Sequence, residues 1–270
     1  MGSIAASGIR NERVILRPFL KEDKSMSKPK IHIHSNYHDL CHGVAKEIAS
    51  LAQHAEQRYR PFNIAFSGGS TPENIYKILS SMHFCEKINW GGFNIYFGDE
   101  RMVAPDHPDS NYLMVKNSLL DHSPIPSANI HRISGELQDP HTAALQYEEE
   151  LVEHLDKSES LIPIFDLVLL GIGSDGHTAS LFPNTDILKQ KDKWVDAVYV
   201  KKLDSWRVSI TLPIINNAKN IIIIASGKTK ATIIKNVLSN TNKKYPIQLL
   251  KPSDTMAWHL DQDAAEGIKA

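Results

Sequence analysis

Cysteine is nearly absent: Cys41 and Cys85 are the two in 270 residues. No second pair makes a zinc site and no close spacing suggests a redox motif, so a reduced, cytoplasmic setting is expected. Long apolar runs are also missing. The longest, Ile162–Leu170 and Ile221–Ala225, fall far short of the roughly 20 residues a membrane-spanning helix needs. Neither sign of charge is in surplus, with 30 Lys+Arg against 31 Asp+Glu and a formal net charge of −1. Bulk charge therefore predicts no affinity for nucleic acid or membrane. There is no internal repeat, no low-complexity tract and no Gly/Ser linker between residues 29 and 270, which predicts a single domain there.

The hydrophobic share of 41% and charged share of 23% suit a folded chain that buries a sizeable core. Residues 1–28 carry scattered charges and only the short apolar patch Val14-Ile15-Leu16, too little for a signal-peptide core. They read as an N-terminal extension, poorly ordered, with Met26 a candidate natural start. Beyond it, Ile31–His34 alternates as a strand, and Cys41, Val44, Ala45, Ile48, Ala52 and Ala55 repeat with helical period. Further strands are expected at Phe62–Phe66, Phe93–Phe97, Phe165–Leu170, Val195–Val200, Arg207–Leu212, Asn220–Ala225 and Ile247–Leu250. Helices are expected from Pro72 to about Ser81 and over Asn111–Leu120, Ala143–Leu155 and Lys230–Leu238. This alternation predicts an α/β fold: an open, mostly parallel, Rossmann-like sheet with helices on both faces. Such sheets bind ligands where strand ends meet helix starts.

Four segments fall at such places. Phe66-Ser67-Gly68-Gly69-Ser70-Thr71-Pro72 is a glycine-rich turn between strand and helix. Gly68 and Gly69 let backbone approach a ligand, and the N–H groups of the helix start, with the Ser70 and Thr71 hydroxyls, suit a phosphate. An ordinary turn with Ser or Thr capping the helix fits the same residues. Neither a Walker loop nor a dinucleotide fingerprint is present. In Tyr96-Phe97-Gly98-Asp99-Glu100-Arg101 a strand runs out into two carboxylates and a guanidinium. Arg101 would grip a phosphate or carboxylate, with Asp99 and Glu100 positioning it or meeting sugar hydroxyls; a solvated charge cluster is the plainer reading.

The third segment, Phe165 to Pro183, delivers Gly171, Gly173, Asp175, Gly176 and His177 into one tight loop at a strand end. Histidine, with an unperturbed pKa of roughly 6.5, is mostly neutral and able to accept a proton near pH 7. Asp175 would orient the ring or stabilise its charged form. The setting separates His177 from the other histidines among the 13. The fourth segment pairs Arg207–Pro213 with Ala225-Ser226-Gly227-Lys228-Thr229-Lys230, each placing a cation near a strand end or helix start. Arg207 and Lys230 are candidate anion contacts, Lys228 competes with Lys230, and surface residues are the plainer reading of all three.

In this order and spacing the segments resemble the 6-phosphogluconolactonase family of the pentose phosphate pathway, over residues 30–265. The matching stretches are Ser67–Pro72, Gly98–Arg101 with Asp106–Asn111, Gly171–Pro183, Arg207–Pro213, Gly227–Lys230 and Trp258-His259-Leu260-Asp261. Glucosamine-6-phosphate deaminases share the fold, but their histidine loop typically continues Ile-Ala-Phe-Asn-Glu-Pro and their Asp-Glu pair is followed by Tyr. Thr178-Ala179-Ser180-Leu181-Phe182-Pro183 and Arg101 stand at those places here and favour the lactonase. The resemblance implies hydrolysis of 6-phospho-D-glucono-1,5-lactone to 6-phospho-D-gluconate without metal or organic cofactor. His177 would be the general base and Asp175 its partner, with backbone N–H groups around Gly173 and Gly176 for the oxyanion. Gly68, Gly69, Ser70, Thr71, Asp99, Arg101, Arg207 and Lys230 would hold the substrate, mainly its phosphate. A deaminase or isomerase using Asp99 as base is the alternative. A sensor that only binds sugar phosphate needs neither Asp175 nor His177, and no basic recognition helix is evident. The expected assembly is a monomer or small homo-oligomer.

Overall fold

The central strands lie side by side and bury both faces, because their residues are apolar on both. A computed structural model describes residues 29–239, 244–251 and 253–268. The expectations for residues 1–28, including a start at Met26, lie outside the described residues. The strands are β1 (Lys30–His34), β2 (Phe62–Phe66), β3 (Phe93–Phe97), β4 (Asp99–Arg101), β5 (Ile130–His131), β6 (Leu167–Gly171), β7 (Val195–Val200), β8 (Ser205–Ile210), β9 (Asn220–Ala225) and β10 (Thr255–Asp261). The helices are α1 (Tyr37–Glu56), α2 (Ser70–Leu79), α3 (Met82–Cys85), α4 (Asn111–Ser118), α5 (Pro140–His154), α6 (Leu212–Asn216) and α7 (Lys228–Ser239).

Seven strands form one sheet in the order β1-β10-β9-β6-β2-β3-β5, every pairing parallel. Strand β2 is buried at all of its positions, as a parallel strand covered on both faces must be. The helices are cut to length by local chemistry. Asn36 caps α1 by accepting from the Asp39 N–H, Ser110 caps α4 and Asp139 caps α5, each satisfying donors the helix leaves orphaned. Among the described residues, no helix is long and apolar enough to cross a membrane. Cys41 and Cys85 are both free.

Three expectations are corrected. First, Val195–Val200 and the following strand do not extend the parallel sheet. With β4 they make a separate antiparallel sheet in the order β4-β8-β7. The reason is connection length: only Lys201–Asp204 separate β7 from β8, whereas a parallel pair needs a crossover of about a dozen residues. Strand β8 also ends at Ile210, and Leu212 begins α6. Second, Ile247–Leu250 is not extended. Pro246–Leu249 is a 3-10 turn with Pro246 in its first turn, and the closing strand is β10, inserted between β1 and β9. Third, Pro72 is not the first residue of its helix, since α2 starts at Ser70.

Candidate active site

Where β2 ends, the chain must turn sharply into α2, and two glycines make the turn possible. A Cβ on Gly68 would fall 2.0 Å from Asn111 Oδ1, so the Asn111 side chain occupies the room that a side chain at 68 would take. Gly69 has φ +105, a conformation L side chains rarely adopt. The base of the turn is stapled by Tyr76, whose hydroxyl accepts from the Ser67 N–H at 3.0 Å and donates to the Ser67 carbonyl at 2.8 Å. Gly69 is the N-cap residue of α2 and no side chain caps the helix. Neither Ser70 nor Thr71 does what an ordinary capping turn would have them do. The N–H groups of Gly68, Gly69, Ser70 and Thr71 have no partner among the described residues, which leaves a positive helix end open to an anion.

Across from this turn, β4 reads its three charged residues by alternation. Glu100 is 2% exposed and faces away from the turn. It accepts from the N–H groups of Arg101, Asn111 and Tyr112 and from Ser110 Oγ, holding the start of α4. Burial raises its pKa, against the pull of those hydrogen bonds. A role for Glu100 in meeting substrate is thereby corrected to a structural one. Asp99 and Arg101 face the other way. Asp99 Oδ2 accepts from Ser180 Oγ at 2.7 Å, and its carbonyl accepts from Asn111 Nδ2 at 2.7 Å. Arg101 donates to the Asp109 carbonyl.

Strand register then sets Arg101 directly opposite Arg207. Like charges facing each other across two strands are destabilising, and here the Nε of each is buried without a hydrogen-bond partner. Burial, with Arg101 alongside, depresses the Arg207 pKa. Two guanidinium groups held this way have the charge and the free donors that could receive a doubly charged anion such as a phosphate. Lys230 joins them from the first turn of α7, donating to the Ile172 carbonyl at 2.8 Å, and burial lowers its pKa. Its placement depends on Asp261, the last residue of β10, which accepts from the Gly227 N–H at 3.0 Å. Lys228 instead points to Glu266 at 3.5 Å on the surface, so of the two it is Lys230 that lines the cavity.

The loop after β6 carries Asp175 and His177. It is closed by the Gly173 N–H donating to the His177 carbonyl at 2.8 Å and the Gly176 N–H donating to the Gly173 carbonyl at 2.9 Å. Both N–H groups are therefore spent within the loop, and the expectation that they receive an oxyanion is corrected. Their glycines serve sterically. A Cβ on Gly173 would lie 2.0 Å from the His177 ring, and one on Gly176 would lie 2.6 Å from the Tyr245 side chain. The imidazole lies flat against Gly173 on one side and stacks on Phe182 at 4.1 Å between centroids. Its Nδ1 lies 2.5 Å from Asp175 Oδ1, and Asp175 is held from behind by Lys202. Burial raises the Asp175 pKa, but Lys202 and then His177 outweigh it and bring it down to about 2. Burial lowers the His177 pKa, more than Asp175 raises it. The pair thus rests as neutral imidazole and carboxylate at neutral pH.

These parts converge on one cavity of about 340 Å³, lined by Gly68, Gly69, Asp99, Arg101, Gly173, His177, Arg207 and Lys230 among others. Ser70, Thr71, Asp175 and Gly176 do not line it. Ser70 and Thr71 reach the cavity only as the helix start beside it, and Asp175 stands behind His177. Ser67, Asn111, Ser180, Phe182 and Lys202 line it as well and were not expected. A signal existed for Asn111 and Ser180, which lie in the motif stretches, but Lys202 sits in a hairpin turn that reads as surface.

Residues 35–258 match the family described as glucosamine-6-phosphate isomerases/6-phosphogluconolactonase. The chain belongs to that family. Among its relatives, a 6-phosphogluconolactonase of Haemophilus influenzae is 39% identical over 215 residues, 77% of this chain and 88% of that protein. One from Nostoc is 37% identical over 205 residues, 75% of this chain and 83% of that protein. The solved structure of the Trypanosoma brucei 6-phosphogluconolactonase superposes with a TM-score of 0.80 at 29% identity, covering 91% of this chain and all 100% of the other.

In this member of the family the cavity brings two chemically distinct sets of groups together. One set is cationic, Arg101, Arg207 and Lys230, beside the α2 start. The other is the half-buried, neutral His177, whose Nδ1 is tied to a carboxylate. Groups of these two kinds can hold an anionic substrate and accept a proton from it or from water.

Proposed function

We propose that this chain hydrolyses 6-phospho-D-glucono-1,5-lactone to 6-phospho-D-gluconate, the lactone-opening step of the oxidative pentose phosphate pathway. The observation that carries the reading is His177, with Nδ1 on Asp175, lining the same cavity as the paired arginines. The phosphate binds at the α2 start between Arg101 and Arg207, with Lys230 beside them, and this fixes the lactone carbonyl near His177. His177 Nε2 takes a proton from water as the oxygen attacks the carbonyl carbon, and Asp175 stabilises the imidazolium. The tetrahedral intermediate then collapses: the bond from that carbon to the ring oxygen breaks, and His177 returns the proton to the leaving oxygen. Asp99 is the base a deaminase or isomerase would need. Its Oδ2 already takes the Ser180 hydroxyl, so its work here is to hold the histidine loop against β4.

The test generates the lactone in situ in weakly acidic buffer, where spontaneous opening is slow, and follows its decay with and without protein. Wild type accelerates the decay, and His177→Ala loses roughly 10²- to 10⁴-fold of that acceleration. A His177→Ala protein that kept most of the activity would overturn the mechanism. A folded wild type that left the lactone untouched but released ammonia from glucosamine 6-phosphate would overturn the substrate.

A further inference from the structure

Three of the histidines outside the active site, His32, His34 and His259, gather at one place. His32 of β1 and His259 of β10 are register partners, and His34 follows two residues after His32. Strand alternation therefore puts all three on one face of the sheet. Helix α1 lies over that face. A Cβ on Gly43 would fall 2.4 Å from the His34 ring, so the helix approaches closely there, and Glu47 stands one turn further along. Glu47 Oε2 is 3.0 Å from His259 Nε2, His34 Nε2 is 3.0 Å from His259 Nδ1, and the His32 ring stacks on His259 with centroids 4.7 Å apart. One ligand atom each from His32, Glu47 and His259 lie within 4.8 Å of one another.

His259 gives the cluster its meaning. It is 2% exposed, and its Nε2, though close to Glu47, is not aligned to make a hydrogen bond with any described group. When Nδ1 donates its proton to His34, the lone pair of His259 sits on Nε2 and points at Glu47 and His32. Histidines that bind metals are set up in this way, with the non-ligating nitrogen donating to a neighbour. Two imidazoles and one carboxylate form a donor set for Zn²⁺. A second cluster, His131, Glu150 and His154, has no such orphaned buried nitrogen among the described residues: His131 Nδ1 is bonded to Glu150 at 2.6 Å and His154 Nδ1 to the Glu150 carbonyl at 3.1 Å.

We infer that His32, Glu47 and His259 form a site for a divalent transition-metal cation of the zinc class, with His34 orienting His259. The ion fastens β1, an edge strand with exposed residues along most of its length, and α1 to β10. It needs no reagent beyond the cation, and the exposed His32 is free to turn toward the ion.

The experiment titrates chelator-treated full-length protein with ZnCl₂ at pH 7.5 by calorimetry and repeats thermal melts with and without zinc. One ion per chain is expected, with a rise in Tm. Glu47→Gln, on a half-exposed helix position where folding is kept, and His32→Ala each weaken binding at least about tenfold and remove the Tm rise. His34→Ala weakens it by roughly 10- to 100-fold. Glu150→Gln leaves it intact. Absence of zinc binding by wild type overturns the site. So does binding that survives both Glu47→Gln and His32→Ala, or that vanishes with Glu150→Gln or His177→Ala.

Discussion

His177 carries both a chemical and a thermodynamic consequence of burial. Its folded pKa lies below 6.5 because the ring is desolvated against Phe182 and Gly173, and Asp175 only partly offsets this. In the proposed mechanism His177 works in its neutral form, so kcat/KM is expected to be flat above about pH 6.5 and to fall as pH drops through a midpoint below that value. A pH–rate profile corrected for spontaneous opening checks this; a midpoint above 6.5 would contradict it. The sign for stability is the same. A histidine held neutral in the fold gives up nothing above the unfolded pKa, whereas below it the unfolded chain gains a proton the folded chain resists, and stability falls. His34 and His131, also lowered chiefly by burial, add to that loss.

At the scale of elements, the informative pair is β4 and β8. Their register sets two arginines face to face, each with a buried Nε that no described group accepts, a repulsion the fold tolerates. Arg207→Ala is expected to raise KM by roughly 10- to 150-fold, the equivalent of about 1.5–3 kcal/mol for a charge-assisted hydrogen bond, with kcat changed far less. The same substitution relieves the repulsion, so the Tm without ligand is unchanged or higher while the protection given by phosphate ion is lost. Steady-state kinetics and melts with and without phosphate read both. Arg101 and Arg207 were visible in the sequence as cations near strand ends, but their opposition was not, because it depends on an antiparallel pairing across more than a hundred residues.

For the molecule as a whole, the end of the sheet away from the cavity is fastened by one buried carboxylate. Asp166, just before β6, accepts from Arg60 Nη1 at 2.5 Å, the Asn63 N–H at 2.9 Å and Lys219 Nζ at 2.8 Å, joining the beginnings of β2, β6 and β9. Asp166→Ala is expected to destabilise the protein by about 2–3 kcal/mol, because three donors lose their acceptor while two of them still reach water. Denaturant unfolding measures the loss. Lactonase kcat/KM below the transition stays within about twofold of wild type, since no cavity residue touches Asp166. A large loss of kcat/KM in folded protein would show that the two ends of the sheet are coupled.

Local sequence was enough for the parallel core and for the parts of the site that are local. The apolar strands Phe62–Phe66, Phe93–Phe97 and Asn220–Ala225 bury both faces wherever they pair, and the Asp175–His177 contact closes within two residues. The glycines at 68, 69, 173 and 176 announced tight backbone, though whether each served a ligand or a neighbouring side chain was a question of packing. Only the tertiary structure decided the rest. A short apolar stretch such as Ile247–Leu250 satisfies a strand or a 3-10 turn equally well until its neighbours are known. Glu100 faces away from the cavity because β4 pairs with β8, and Lys202 reaches Asp175 because the hairpin folds back over the histidine loop. Lys230 rather than Lys228 enters the cavity because Asp261 fixes the turn before α7. Each of these depends on contacts between residues far apart in the chain, and a pattern read along the chain has no access to them.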